Sequence, residues 1–211
     1  MAATANQAKA SIVAIMGSTG SGKTTKMQQL FTQGRAPRTF AWSPKEYADK
    51  YAALFPGSVV VRSAAEFLAI CREAGERGSF HVVFEPTLNR KRDTAQFNAC
   101  CLVALKFGRM RFLADELHTV TMASGGSDGW SKLVMMGRSM DIKIIAGSQR
   151  PASIDKDFLG NCSHVISGRL AYEDDAKAVA KALNVRPDEV MALTGYSWLS
   201  RDMLAGKNAR G

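Results

Sequence analysis

Short apolar runs of strand type recur along the chain, at residues 11–16, 38–42, 58–61, 80–84, 111–114, 142–146 and 164–167. Between several of them the apolar positions change to helical spacing: Phe97, Cys100, Ala104 and Phe107 form one stripe, and Ala176, Val179, Ala180 and Leu183 another. Strands that alternate with helices build a mostly parallel sheet covered by helices on both faces, so the pattern predicts an α/β fold. Local signals mark the helix ends. Ser63 with Glu66 reads as a capping box, closed by Gly75 or Gly78. Asp93 reads as the cap of a helix that Gly108 stops, and Glu173, Asp174 and Asp175 suit a positive helix N-terminus. Residues 125–129, mostly glycine, read as a flexible loop.

A length of 211 residues suits one domain with a short appendage. The pattern puts its core at about residues 10–170, a helical extension at 171–204 and a flexible tail at 205–211. The formal charge of +9 favours a polyanionic partner over an acidic protein, although charge alone names none. Cys71, Cys100, Cys101 and Cys162 include no C-x-x-C pair and no histidine at ligand spacing. That argues for buried thiols in a reducing compartment rather than a metal site. The apolar run at 12–16 is too short for a secretory or membrane segment, so a cytoplasmic protein with no transmembrane segment of its own is expected.

The sharpest motif is Gly17, Ser18, Thr19, Gly20, Ser21, Gly22, Lys23, Thr24, which fits G-x-x-x-x-G-K-[ST] and runs on into Thr25. It follows a strand run and precedes a helix pattern carrying Met27, Leu30 and Phe31, the setting in which this motif cradles phosphate. Glycines let the backbone curl so that consecutive amides face one phosphate group, and the helix N-terminus adds partial positive charge. Lys23 would bridge the β- and γ-phosphates of ATP, and Thr24 would offer its hydroxyl to Mg²⁺.

The apolar run at 111–114 leads into Asp115 and Glu116. With that strand laid beside the first one, Asp115 would hold Mg²⁺ through water and Glu116 would polarise a water in line with the γ-phosphate. Such a base points to hydrolysis, because a small-molecule kinase must keep water out; the plainer reading of Glu116 is a helix-start acid. A switch GTPase is disfavoured, since Asn89-Arg-Lys-Arg-Asp93 does not match the guanine reader Asn-Lys-x-Asp, and the paired zinc cysteines of thymidine kinases are missing. Past the glycine loop come Gly137 and Arg138, then a strand closing in Gln149-Arg150-Pro151. A side-chain amide at that strand end lies where it can sense a γ-phosphate.

These features together, the P-loop, the Asp115-Glu116 strand, Gly137-Arg138 on the next helix and the strand closing in Gln149, resemble the FtsK/HerA superfamily of hexameric DNA pumps across about residues 11–170. The small size and the lack of a DNA-reading domain look most like the genome-packaging ATPases of tailless, membrane-containing, tectivirus-like viruses. The resemblance implies a RecA-like P-loop fold, Arg138 as an arginine finger reaching a neighbouring subunit's nucleotide, and Gln149 as the sensor. It further implies a hexameric ring that pumps double-stranded DNA into a capsid, docking to a capsid vertex or viral membrane protein, and a place in the host cytoplasm or virion. Arg138 as a surface arginine paired with Asp141 stays open. The alternatives are a conjugation- or plasmid-type DNA pump, a nucleotide or nucleoside kinase-like enzyme, and a non-catalytic ATP-dependent assembly factor.

Two segments suit a nucleic-acid backbone: the basic run Arg90, Lys91, Arg92 beside a helix start, and the loop at 123–130 with Lys132 close by. A solvated helix entry and a plain flexible turn are their ordinary readings. Trp130 and Trp198 are expected to be partly buried, and His81, His118 and His164 to be structural.

Overall fold

Every residue of β1 (Ile12–Met16) and β2 (Arg38–Trp42) is buried, and a strand with no solvated face belongs between two layers of helix. A computed structural model describes residues 11–43 and 45–211. After β1 come α1 (Lys23–Thr32), β2, α2 (Lys45–Ala52), β3 (Val59–Val61), α3 (Ala64–Ala74), β4 (Phe80–Phe84), α4 (Arg90–Phe107) and β5 (Arg111–Ala114). The chain continues through α5 (Asp128–Met136), β6 (Lys143–Ser148), α6 (Lys156–Asn161), β7 (His164–Ser167), α7 (Glu173–Leu183), α8 (Pro187–Met191), β8 (Leu199–Asp202) and β9 (Lys207–Arg210). One sheet takes the order β3-β4-β2-β5-β6-β1-β7-β8-β9, parallel from β3 to β7 and antiparallel beyond.

Successive strand residues point to opposite faces, which sorts the core into two clusters. Ile12, Ala14 and Met16 pack with Phe67 of α3, Phe97 of α4, Trp130 of α5, Phe158 of α6 and Val179 of α7. Val13 and Ile15 pack with Met27 and Phe31 of α1 and Tyr51 of α2. The four cysteines are free and buried, and burial pushes the Cys71 thiol up to about 12.

Several local expectations change. β6 lies between β1 and β5, so the strand leading to Asp115 is not beside the first strand. Asp93 does not cap α4: Asn89 does, accepting from the Arg92 amide at 3.1 Å, while Asp93 turns inward and accepts from the Thr87 amide and hydroxyl, both at 2.9 Å. Ser63 caps α3 as expected, but the Glu66 carboxylate returns to the Arg62 amide (3.2 Å) and the Ser63 hydroxyl (2.7 Å) rather than to the Ser63 amide. The helical extension stops at α8. Residues 199–202 and 207–210, read as helical extension and flexible tail, form the hairpin β8–β9 paired along β7, turning at Gly206 with φ +65°. Trp130 is fully buried between Phe97 and Phe158, each ring 5.4 Å away, so it has no face to offer a base.

The site-bearing crossover depends on close contact between α4 and α5. A Cβ added to Gly129 would stand 2.4 Å from the Asn98 carbonyl oxygen, and the Gly129 amide donates to Asn98 Oδ1 at 2.7 Å. A backbone oxygen inside a helix has nowhere to go, so Gly129→Ala is expected to destabilise the fold by about 1–3 kcal/mol. A thermal melt reads this as a lowered Tm; an unchanged Tm would mean that the two helices part at no cost.

Candidate active site

The candidate phosphate-binding loop is shaped by backbone that only glycine adopts without strain. Gly20 and Gly22 have φ of +79° and +81°. The Ser21 amide closes on the Ser18 carbonyl at 3.1 Å, while Gly17 donates to Ser148 at 3.2 Å and Ser18 to Arg169 at 2.9 Å, tying the loop to the strand ends on either side. The Ser21 hydroxyl is buried without a hydrogen-bond partner among the described residues. A buried hydroxyl with no partner is costly, and an anion in the loop would supply one.

Lys23 begins α1 and is only 6 % exposed. Its Nζ lies 2.7 Å from Asp115 Oδ1 and 2.8 Å from Glu116 Oε1. The side chains converge although β6 separates the two strands, because a lysine stem spans the gap. Burial works against the Lys23 charge, but the two carboxylates outweigh it and hold the ammonium above its ordinary range. Burial likewise opposes charge on Glu116, yet hydrogen bonding from His118 and the nearby Lys23 ammonium bring its carboxyl down to about 2.

Glu116 sits in the left-handed region at φ 50°, ψ 51°, which aims its carboxylate back at the loop and starts a short 3-10 turn at Leu117–Thr119. Its backbone amide donates to Asp115 Oδ1 at 2.9 Å, and its Oε2 accepts from the Gln149 backbone amide at 3.3 Å. Gln149 Oε1 in turn accepts from the Thr19 hydroxyl at 3.2 Å, so the expected sensor bridges the phosphate loop and the expected base.

Two further residues belong to this cluster. The Tyr51 hydroxyl donates to the second Asp115 oxygen at 3.2 Å from a fully buried ring. His118 Nδ1 lies 3.1 Å from Ser148 Oγ and 3.3 Å from Glu116 Oε2, which makes it part of the cleft rather than merely structural. Its place two residues after Glu116, beside a candidate base, was the signal in the sequence. Tyr51, far from the motifs, had none.

A cleft of about 960 Å³ opens over the loop, lined by Ser18, Thr19, His118, Gln149, Arg90, Arg150, Arg169 and Tyr172. Arg90 thus joins the site, its guanidinium donating to the Thr121 carbonyl at 3.0 Å, while Lys91 and Arg92 are exposed beside it. Lys132 is exposed and paired with Asp128 at 2.7 Å. Arg138 is not brought to the cleft. It follows the end of α5 at the edge of the sheet where β6 begins, opposite the edge that carries the phosphate loop, and is exposed. Among the described residues no ion pair joins it to Asp141.

No family model and no curated protein matches this sequence. Solved structures do. The genome packaging NTPase B204 of Sulfolobus turreted icosahedral virus 2, in complex with AMPPCP, superposes with a TM-score of 0.71 at 14% identity, over 95% of this chain and 96% of that one. This chain has the fold of B204. VirB4 of Thermoanaerobacter pseudethanolicus gives 0.64 at 12% identity, over 94% of this chain and 88% of that one. The pCW3 conjugation coupling protein TcpA gives 0.52 at 17% identity, over 96% and 60%. Like B204, the chain is a P-loop α/β protein with a mostly parallel sheet flanked by helices. No helix of the described residues is long and apolar enough to cross a membrane, and those residues contain no cluster of three or more His, Cys, Asp or Glu suited to a metal.

Stability should follow the charge balance of this cluster. Glu116, lowered from 4.5 to about 2, contributes stability present above about pH 4.5 and lost as pH falls towards 2; Lys23, raised above 10.5, contributes stability that is lost as pH rises beyond 10.5. Lys23→Met leaves the two carboxylates facing each other without a cation, at an expected cost of about 3 kcal/mol near neutral pH. The cost should shrink at about pH 4, where Glu116, no longer held down by the Lys23 ammonium, protonates. Urea unfolding at both pH values checks this, and an equal cost at both would mean that the cluster does not carry these charges.

Proposed function

We propose that the chain is an ATP-hydrolysing motor subunit that translocates nucleic acid, with double-stranded DNA pumped into a viral capsid as its task. One observation carries the proposal: the Lys23 ammonium of the phosphate loop lies within 2.8 Å of the carboxylate best placed to act as base, Glu116, and the Gln149 backbone N–H donates to that same carboxylate. The fold shared with a packaging NTPase and with VirB4 supports the motor reading.

In this reading Gly17 to Thr25 hold the triphosphate through backbone amides, Ser21 donates its spare hydroxyl, and Lys23 leaves Glu116 to meet the β- and γ-phosphates. The Thr24 hydroxyl and Asp115 carboxylate, hard oxygen donors, fit Mg²⁺, which would draw charge from the phosphate oxygens. Glu116, released from Lys23, takes a proton from the attacking water, and His118 with Ser148 keeps its carboxylate aimed. Gln149 registers the γ-phosphate through Thr19 and Glu116. Arg138, exposed and on the far edge of its own sheet, can serve only the site of another subunit, which favours a ring. Arg90, Lys91 and Arg92, with the adjoining loop at 123–127, form the basic lip on which a phosphate backbone would lie; Lys132, tied to Asp128, is the weaker candidate. A conjugation-type pump would use the same parts, and VirB4 and TcpA share the fold.

The test is the ATPase rate against protein concentration, with and without duplex DNA. The rate per subunit should rise cooperatively and increase with DNA. Glu116→Gln should lower kcat by at least about 100-fold with nucleotide binding kept. Arg138→Ala should lower it by about 10³-fold, and mixing the two variants should restore part of the rate. A rate indifferent to DNA and to Arg138 would instead indicate a kinase-like enzyme or an assembly factor.

A further inference from the structure

The hydrolytic groups reach the phosphate loop from one flank only. Asp115, Glu116 and Gln149 follow β5 and β6, on one side of β1, while β7 and β8 lie on the other. A nucleoside triphosphate with its terminal phosphate towards Glu116 and its middle held by the loop sends its sugar and base the opposite way, to the β7–β8 flank. That flank carries aromatic rings. A tight turn, closed by the Ser197 amide on the Thr194 carbonyl at 3.0 Å and using Gly195 at φ +56°, presents Tyr196 with 74 % of its surface exposed.

The Tyr196 ring stands at the loop. A Cβ added to Gly22 would meet Tyr196 Cδ1 at 2.9 Å and Trp198 Cζ2 at 3.8 Å, and one added to Gly168 would meet the Trp198 ring at 3.4 Å. The Trp198 backbone is paired with Gly211, its amide donating to the Gly211 carbonyl at 2.6 Å and its carbonyl accepting from the Gly211 amide at 3.0 Å. A largely exposed aromatic ring beside the loop backbone offers apolar area to a flat ligand.

Resting on the nucleotide reading of the phosphate loop, we propose that Tyr196, with Trp198 near the same glycine of the loop, is the base platform of this site, stacking on the purine of ATP. Stacking recognises the face of a base rather than its edge, so the platform selects purine over pyrimidine triphosphates by ring area and accepts ATP and GTP alike. The phenol oxygen plays no part in it.

Calorimetric titration of the full chain with AMPPCP and, separately, with inorganic tripolyphosphate tests this. Tyr196→Ala should weaken AMPPCP by about tenfold while tripolyphosphate binds as to wild type, and Tyr196→Phe should stay within about twofold for both. Among triphosphates, ATP and GTP should bind wild type more tightly than CTP, with the difference lost in Tyr196→Ala. The proposal is overturned if Tyr196→Ala binds AMPPCP like wild type, or if it loses tripolyphosphate equally, the ring then merely propping the loop. In both cases wild-type binding leaves the nucleotide reading standing. Wild type that binds neither probe removes that reading and the platform with it.

Discussion

A buried ammonium is the constraint on which this molecule is built. Lys23 is nearly inaccessible to water, and an unpaired charge so placed would cost several kcal/mol. Its two carboxylates come from a segment about ninety residues later, across an intervening strand. The pairing therefore holds only if β1, β6 and β5 keep their register and α1 lies close on the sheet. Gly147 permits that approach: a Cβ there would stand 2.3 Å from the Met27 sulfur of α1. One lysine against two carboxylates also leaves a negative charge over. Tyr51, the Gln149 and Glu116 backbone amides and His118 spread it, and in the proposed reading that surplus is what Mg²⁺ would meet.

The parts of this arrangement that were legible in the sequence were the local ones. Strands at 38–42, 80–84, 111–114 and 164–167 stand where the apolar runs put them, because strands covered on both faces carry little polar alternation. The phosphate loop and the Asp115-Glu116 end were legible because their chemistry demands particular residue types in an unbroken row. Spatial order was not legible. Nothing in an alternation of strands and helices says that β6 enters between β1 and β5, and that insertion was missed although each strand was found. The β8–β9 hairpin was missed for a different reason: Leu199–Asp202 and Lys207–Arg210 are mostly polar, and backbone pairing to β7 rather than apolar burial holds them in the sheet. Asp93 misled because a helix-favouring acid looks the same whether it caps the helix or braces the preceding turn from within it.

The insertion of β6 has a mechanical side. This strand is hydrogen-bonded to a neighbour on each flank, and at its start the Ile142 amide is tied to the Gly137 carbonyl in the turn that carries Arg138. At its other end stands Gln149. Six extended residues span roughly 20 Å and stretch hardly at all. The strand is a stiff tie-bar: the tip that touches the phosphate-loop cleft and the foot next to the Arg138 turn would travel together. In a ring assembled as proposed, a small shift at one pocket would be handed to the adjoining protomer without any separate transmission element.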